Sequence, residues 1–401
     1  MAELLRGDVM ATNATRARQV PNWVSSILPL VAIALLAIAF VILDPIGQLR
    51  EVPPIEALAV EQTTLEEGSI ELQVRNDGPD PVTISQVLVN DDYWAHSVGD
   101  REVGRLESTE VTIPYPWEAE LPLNIALVTS TGVTIEHEIE AAALTPEPDV
   151  GTFAIYTLLG IYIGVIPVAI GLLWFPALKR ASRRWLGFFL AFTVGLLAFL
   201  LIDTVAEGFE IAGGVPGVFD GVALFAMGAI GAVLVLNSFE ATLSARRETG
   251  AIRGLTLAYL IAAGIGLHNL GEGLAVGAAL AAGEIALGTF LILGFALHNT
   301  TEGLAIVSPL GTEAERPRLR HFVALGAVAG GPTILGAWAG GFVYSPTWAA
   351  LAFGVAAGAI AQVVWTIGRN LPAESRLGSG FGAWGFAAGL AVMYLTGLVA
   401  M

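Results

Sequence analysis

GLTLAYLIAAGIGLHNLGEGLAVGAALA, residues 254–281, and EIALGTFLILGFALHNTTEGLAIVSP, residues 284–309, are apolar runs joined by Ala282-Gly283. Each is long enough to cross about 30 Å of hydrocarbon as a helix. Near the middle of each stands the same phrase: His268-Asn269-Leu270-Gly271-Glu272-Gly273 and His298-Asn299-Thr300-Thr301-Glu302-Gly303. On a helix, His and Glu four apart share one face, and the Asn three before the Glu lies nearly on it. Each copy thus turns an imidazole, an amide and a carboxylate toward one spot. An ionisable residue at a helix centre costs roughly 2.5–3.5 kcal/mol on insertion scales, so two glutamates cost on the order of 5–7 kcal/mol. Polar contacts that only glue helices together are the plainer use of such groups, and a single His would suit it. Two copies at one spacing and one depth point to a cation instead. Uncompensated carboxylates repel and need protons or a positive ion between them.

Spans joined by so short a turn run antiparallel, and their midpoints meet at the bilayer centre. Two His, two Glu and two Asn then share one small volume. Imidazole nitrogen and oxygen ligands suit Zn²⁺, Fe²⁺, Mn²⁺, Co²⁺ or Cd²⁺. Glycines after each Glu, and Gly271 within the first phrase, are expected to loosen the backbone where it lines a cavity.

The rest of the chain agrees with a membrane setting. Of 401 residues, 55% are hydrophobic and 14% charged, with mean hydropathy +0.70. There is no cysteine, which excludes disulfides, thiolate metal sites and a Cys nucleophile. The net charge of −17 belongs to one region: between Arg50 and Val150 stand 21 Asp/Glu against four Arg. One Lys accompanies eighteen Arg. Acidity of this kind fits either a high-salt milieu or an acidic extracellular domain. Nothing basic is arranged for nucleic acid.

Residues 1–22 read as a cytoplasmic amino terminus and 23–43 as an uncleaved transmembrane anchor, its apolar run too long for a signal-peptide core. Residues 50–148 change character. Ser69–Val74, Val82–Val89, Glu110–Ile113, Leu123–Val128 and Thr134–Ile139 alternate with period two, and turn chemistry separates them. About seven short strands in that length predict an immunoglobulin-like β-sandwich. From residue 150 to 401 eight apolar spans follow, roughly 152–175, 185–204, 219–237, 254–281, 284–309, 322–343, 347–368 and 381–401. Fifteen of the nineteen Lys/Arg fall before the anchor or in alternate loops of this series, and the other four lie in the β region. By the positive-inside rule the amino terminus is cytoplasmic, and the β domain and carboxyl terminus are extracytoplasmic. Small residues four apart, such as Gly336/Gly340 and Gly354/Gly358, permit close helix crossings.

Other polar residues are fewer. Asp203 and Glu207, at the outer end of the second span, read as an acidic vestibule for cations or as a solvated helix end. Gln362, toward the inside of the seventh span, lines an exit or pairs across helices. His96 and His137 belong to the β region as ordinary exposed or satisfied residues, and His321 faces headgroups.

HNLGEGLAVG and HNTTEGLAIV resemble the paired motifs of the ZIP family of divalent metal transporters, in its fourth and fifth core helices. The likeness extends over about 150–401 and includes Gly330-Gly331-Pro332-Thr333 and the positively charged inner loops. The resemblance implies an eight-helix ZIP-like bundle, metal uptake toward the cytoplasm, frequent homodimerisation, an elevator-like movement of helices and no enzymatic turnover. Position by position it implies His268, Glu272, His298 and Glu302 as principal ligands, with Asn269 and Asn299 at an adjoining position. The chain departs from the pattern at Gly331, where many relatives carry a Glu before the Pro, and it lacks their His-rich inner loop. Other readings of the same ligands are an intramembrane hydrolase, which lacks the HExxH arrangement, and a metal sensor. No Walker loop points to ATP drive.

Overall fold

The computed structural model describes residues 22–43, 54–139, 142–245, 254–281, 285–313, 316–371, 373–376 and 380–398. The segment 1–21, the loop 246–253 and the turn 282–284 carried expectations above and lie outside the described residues. The chain divides into two units, residues 1–54 and 55–401. In the first, α1 (Asn22–Leu43) is an apolar helix with Pro29 inside it, exposed from Ile27 to Phe40. A helix that is hydrophobic on every side suits lipid better than water.

The second unit begins with nine strands: β1 (Leu58–Glu66), β2 (Ser69–Asn76), β3 (Val82–Val89), β4 (Asp92–Trp94), β5 (Ser97–Val98), β6 (Glu102–Val103), β7 (Ser108–Ile113), β8 (Leu123–Thr129) and β9 (Thr134–Ile139). They pair antiparallel in two sheets, ordered β1-β2-β7-β5 and β4-β3-β8-β9, with β6 added against β3. Alternation does the building. Ile70, Leu72 and Val74 turn in from one sheet, and Val87, Val89, Ile125 and Leu127 from the other, into a single core. Burying each such side chain stabilises the domain by roughly 1.5–3 kcal/mol. β1 carried no clear period-two signal because a bulge between Val60 and Gln62 shifts its register.

Eight described segments are long and apolar enough to cross a membrane: Val150–Arg180, Arg183–Gly213, Gly217–Ser238, Gly254–Ala281, Leu287–Gly311, Leu319–Phe342, Pro346–Arg369 and Gly380–Gly397. They match the eight expected spans in order and place. The first is broken into α2 (Val150–Gly160), a π-helical turn (Ile161–Val165), α3 (Ile166–Leu172) and α4 (Phe175–Arg180). Then come α5 (Arg183–Gly213), α6 (Gly221–Ala245), α7 (Gly254–Ala281) and α8 (Ile285–Val307). The last are α9 (Leu319–Gly330), α10 (Pro332–Phe342), α11 (Pro346–Arg369) and α12 (Gly380–Gly397).

The motif glycines do not loosen anything. α7 is one unbroken helix through its phrase, which corrects the expectation of local unwinding there. Their work is close approach. A Cβ on Gly303 would lie 2.7 Å from the Gly171 Cα on α3, and one on Gly273 would lie 2.9 Å from the Ala337 nitrogen on α10. Hydrogen in place of a methyl group lets α8 lie against α3 and α7 against α10, backbone on backbone.

Candidate metal centre

Ala, Leu, Ile and Gly dominate α7 and α8, and no proline interrupts either helix. With period 3.6 each phrase then puts its three polar residues on one side, and the two helices pack together. All six meet in the interior: His268, Asn269, Glu272, His298, Asn299 and Glu302 are each 5% exposed or less. Oε1 of Glu272 lies 3.3 Å from Nε2 of His268 and is hydrogen-bonded to Nε2 of His298. Its other oxygen, Oε2, accepts from Nδ2 of Asn299 at 2.8 Å. The imidazole centroids are 6.4 Å apart. Among the described residues, His268, Glu272 and His298 form the one group of metal-ligating side chains whose ligand atoms all lie within 4.8 Å of one another.

The two copies, alike in sequence, do different things. Glu272 is the hub. Glu302 is fully buried, and neither of its oxygens has a hydrogen-bond partner. The other unpartnered buried atoms are Nε2 of His268, Oδ1 of Asn269, Oδ1 of Asn299 and Oγ1 of Thr333. Every one of the six can offer a lone pair, and the two amide oxygens can do nothing else. An unpartnered buried polar atom costs about 1–3 kcal/mol. A cation satisfies several such atoms together, so the donor set fits a divalent ion that takes nitrogen and oxygen. The His268–Glu272 spacing agrees, since bonds of roughly 2.0–2.1 Å in tetrahedral array hold ligand atoms about 3.3 Å apart, while His298 and Glu272 stand closer, in direct hydrogen-bond contact.

A proline aims one of the amides. Pro167 has no N–H for the carbonyl four residues back, which is Ile163 in the π-helical turn. Nδ2 of Asn299 donates to that carbonyl at 3.0 Å. Across the site, Nδ2 of Asn269 donates to the carbonyl of Ala329 at 3.1 Å, where Gly331-Pro332 separates α9 from α10. Only the nitrogen of an amide can donate, so both side chains leave Oδ1 facing inward. On α5, Oγ1 of Thr204 lies 2.9 Å from Nδ1 of His268. Sequence reading passed over Ile163, Ala329, Thr204 and Thr333. A proline within an apolar span was the signal for the first, and a Thr beside Asp203 was the signal for the third.

Asp203 is exposed, while Glu207 is half-buried three residues beyond Thr204 on the same helix. Burial, and next the Glu207 carboxylate, push the phenol of Tyr344 up from its usual range. Gln362 is buried, and its Nε2 donates to Oδ1 of Asn237 at 2.6 Å. His321, expected among headgroups, pairs its Nδ1 with the Tyr259 hydroxyl at 3.1 Å. His96 is half-buried, and Nε2 of His137 bonds Oγ1 of Thr63 at 2.9 Å.

No protein-family profile matches this chain, and no curated protein matches it. Among solved structures, the archaellum periplasmic stator protein FlaG from Sulfolobus acidocaldarius aligns over 21% of this chain and 99% of its own. The identity is 12% and the TM-score 0.19, too low to bear on fold or function.

Proposed function

We propose that this chain is a ZIP-like secondary transporter that carries a divalent transition-metal ion, Zn²⁺ foremost, through the membrane toward the cytoplasm. One observation carries the reading: a buried His268–Glu272–His298 group at the middle of two apolar helices, ringed by unpartnered acceptors. Such a group has little structural return for its desolvation cost unless a positive ion visits it. Fe²⁺, Mn²⁺, Co²⁺ and Cd²⁺ are the other cargoes this donor set accepts.

The ion enters from outside past Asp203 and Glu207, sheds water onto His268 and Glu272, and displaces the direct hydrogen bond between Glu272 and His298. Glu302 and the two Asn Oδ1 atoms stand next to it as further oxygen ligands. Gln362 belongs to the inner half of the path. Alternating exposure of a midplane site is the general physics of such carriers.

The finer architecture is read with it. A strand order of β1-β2-β7-β5 over β4-β3-β8-β9 has the connectivity of an immunoglobulin-like sandwich with one added strand. Asp77, in the β2–β3 turn, accepts from the backbone nitrogens of Gly217 and Val218 at 2.5 and 2.8 Å. That loop between α5 and α6 is one the charge pattern puts outside, which supports an extracytoplasmic sandwich. α1 serves as its membrane anchor, and two copies of the chain form a dimer.

The test is ⁶⁵Zn²⁺ uptake into sealed vesicles that hold only the purified chain. Glu272→Ala, His268→Ala and Glu302→Ala abolish uptake and leave the protein inserted. Wild-type uptake in these variants contradicts the site, and no uptake by the native chain contradicts the function.

A further inference from the structure

We infer that Thr204 is a positioning residue that fixes His268 in the tautomer with its proton on Nδ1, so that Nε2 presents a bare lone pair to the metal position. The inference deepens the transport reading and rests on it only for the consequence to metal binding.

A threonine hydroxyl has one proton to give. Oγ1 of Thr204 lies 2.7 Å from the Leu200 carbonyl on its own helix and 2.9 Å from Nδ1 of His268. A carbonyl oxygen can only accept, so the proton points to Leu200. What Thr204 turns toward the imidazole is therefore a lone pair, and Nδ1 must carry the hydrogen that fills it. Thr204 is wholly buried and His268 only 3% exposed, so water does not compete for this bond. A neutral imidazole with hydrogen on Nδ1 has none on Nε2. That nitrogen is unpartnered and stands 3.3 Å from Oε1 of Glu272.

Both atoms thus offer a lone pair, at a separation suited to two ligands of one ion. The arrangement is specific to the first copy. Among the described residues, the hydrogen bond of the His298 side chain is the one to Glu272, and no hydroxyl stands behind its ring. The locking group also comes from α5, outside the α7–α8 pair that carries both phrases.

Without the hydroxyl, the ring has a better place for its proton. Nδ1–H would be left buried and unpaired, whereas Nε2–H could donate to the Glu272 carboxylate. The tautomer therefore switches, and the nitrogen meant for the metal is blocked. Outer-sphere partners that orient ligating histidines are typically worth about 10–100-fold in metal affinity.

The experiment uses full-length chain with ¹⁵N-labelled histidine, metal-free in lipid, at a pH where the imidazole is neutral. His268→Gln identifies the His268 signals. The wild type gives the nitrogen shifts of an Nδ1–H ring with bare Nε2. Thr204→Val moves them to the Nε2–H form and weakens Zn²⁺ binding about 10–100-fold. Thr204→Ser, which keeps the hydroxyl, restores both. An Nε2–H ring in the wild type overturns the inference, and so does an unchanged ring in Thr204→Val. Should Thr204→Val fail to fold, the wild-type and Thr204→Ser shifts still decide it. The two readings also part cleanly. An Nδ1–H wild type with no Zn²⁺ flux defeats transport alone, and normal flux with an Nε2–H ring defeats the tautomer lock alone.

Discussion

Glu272 reaches both imidazoles and an amide, and nothing in its own phrase distinguishes it from Glu302. Both occupy the fifth position of the same phrase. What separates them lies in their neighbours: Asn299 donates to Glu272, whereas neither Glu302 oxygen has a hydrogen-bond partner. The identity of the six converging residues was legible because helical period and equal depth suffice to predict it. Their division of labour was not, since it depends on atoms from the π-helical turn, α5 and α9. Glu272→Gln keeps the shape and one acceptor but removes the charge that two imidazoles and an ion share. Isothermal titration of the purified chain is expected to show Zn²⁺ affinity reduced at least 100-fold. Asn299→Ala removes an amide oxygen and a donor to Glu272, and the expected loss is about 10–100-fold. If Glu272→Gln binds as the native chain does, the hub role is wrong.

At the scale of elements, the proline of the first span connects local backbone to the site. An apolar run with Pro167 in it reads as a kinked span, but nothing in the run says which side chain claims the freed carbonyl. Pro167→Ala gives Ile163 a backbone donor, which competes with Asn299. Zn²⁺ affinity should fall by about 10-fold or more while thermal stability holds or rises, and a variant with unchanged affinity would show that Asn299 needs no such anchor. Gly303→Ala is different in kind. Its methyl group meets α3 backbone, so it destabilises by about 1–3 kcal/mol or more, readable as a lower unfolding temperature in detergent. The strands were legible where one face is wet and one dry, as in Ser69–Val74. β1 hid behind its bulge, and β5 and β6, two residues each, are too short to carry a period.

The same scale holds a pH prediction. His137 on β9 bonds Thr63 on β1, linking the two sheets, and burial pushes its imidazole below the usual range. As pH falls, the unfolded chain takes up this proton first, at about 6.5. Between that value and the lowered native one the unfolded state holds more protons, so stability rises with pH there and is lost as pH drops. Hydrogen exchange of β1 and β9 amides, corrected for intrinsic rate, is expected to quicken below about pH 6.5 and to lose that dependence in His137→Gln. An unaltered profile in the variant assigns the effect elsewhere.

For the whole molecule, hydropathy and charge did most of the work. Eight spans came out in order because each must satisfy its backbone within a helix, and that leaves a long apolar signature. Which side faces out rests on Lys/Arg placement, and the absence of cysteine makes it simple to test. Single Ser130→Cys and Arg180→Cys chains place one thiol on the sandwich and one beside the α4–α5 loop. In intact cells a membrane-impermeant maleimide should label the first and spare the second. The reverse pattern would invert the proposed direction of uptake.

The central claim is that a cation sits where α7 and α8 face one another. Anomalous diffraction from Zn²⁺-loaded crystals, collected on both sides of the zinc edge, tests it most directly. The expected result is a peak about 2.0–2.2 Å from Nε2 of His268 and from an oxygen of Glu272. A map with no peak between those two side chains, or with peaks only on the acidic sandwich, contradicts the account.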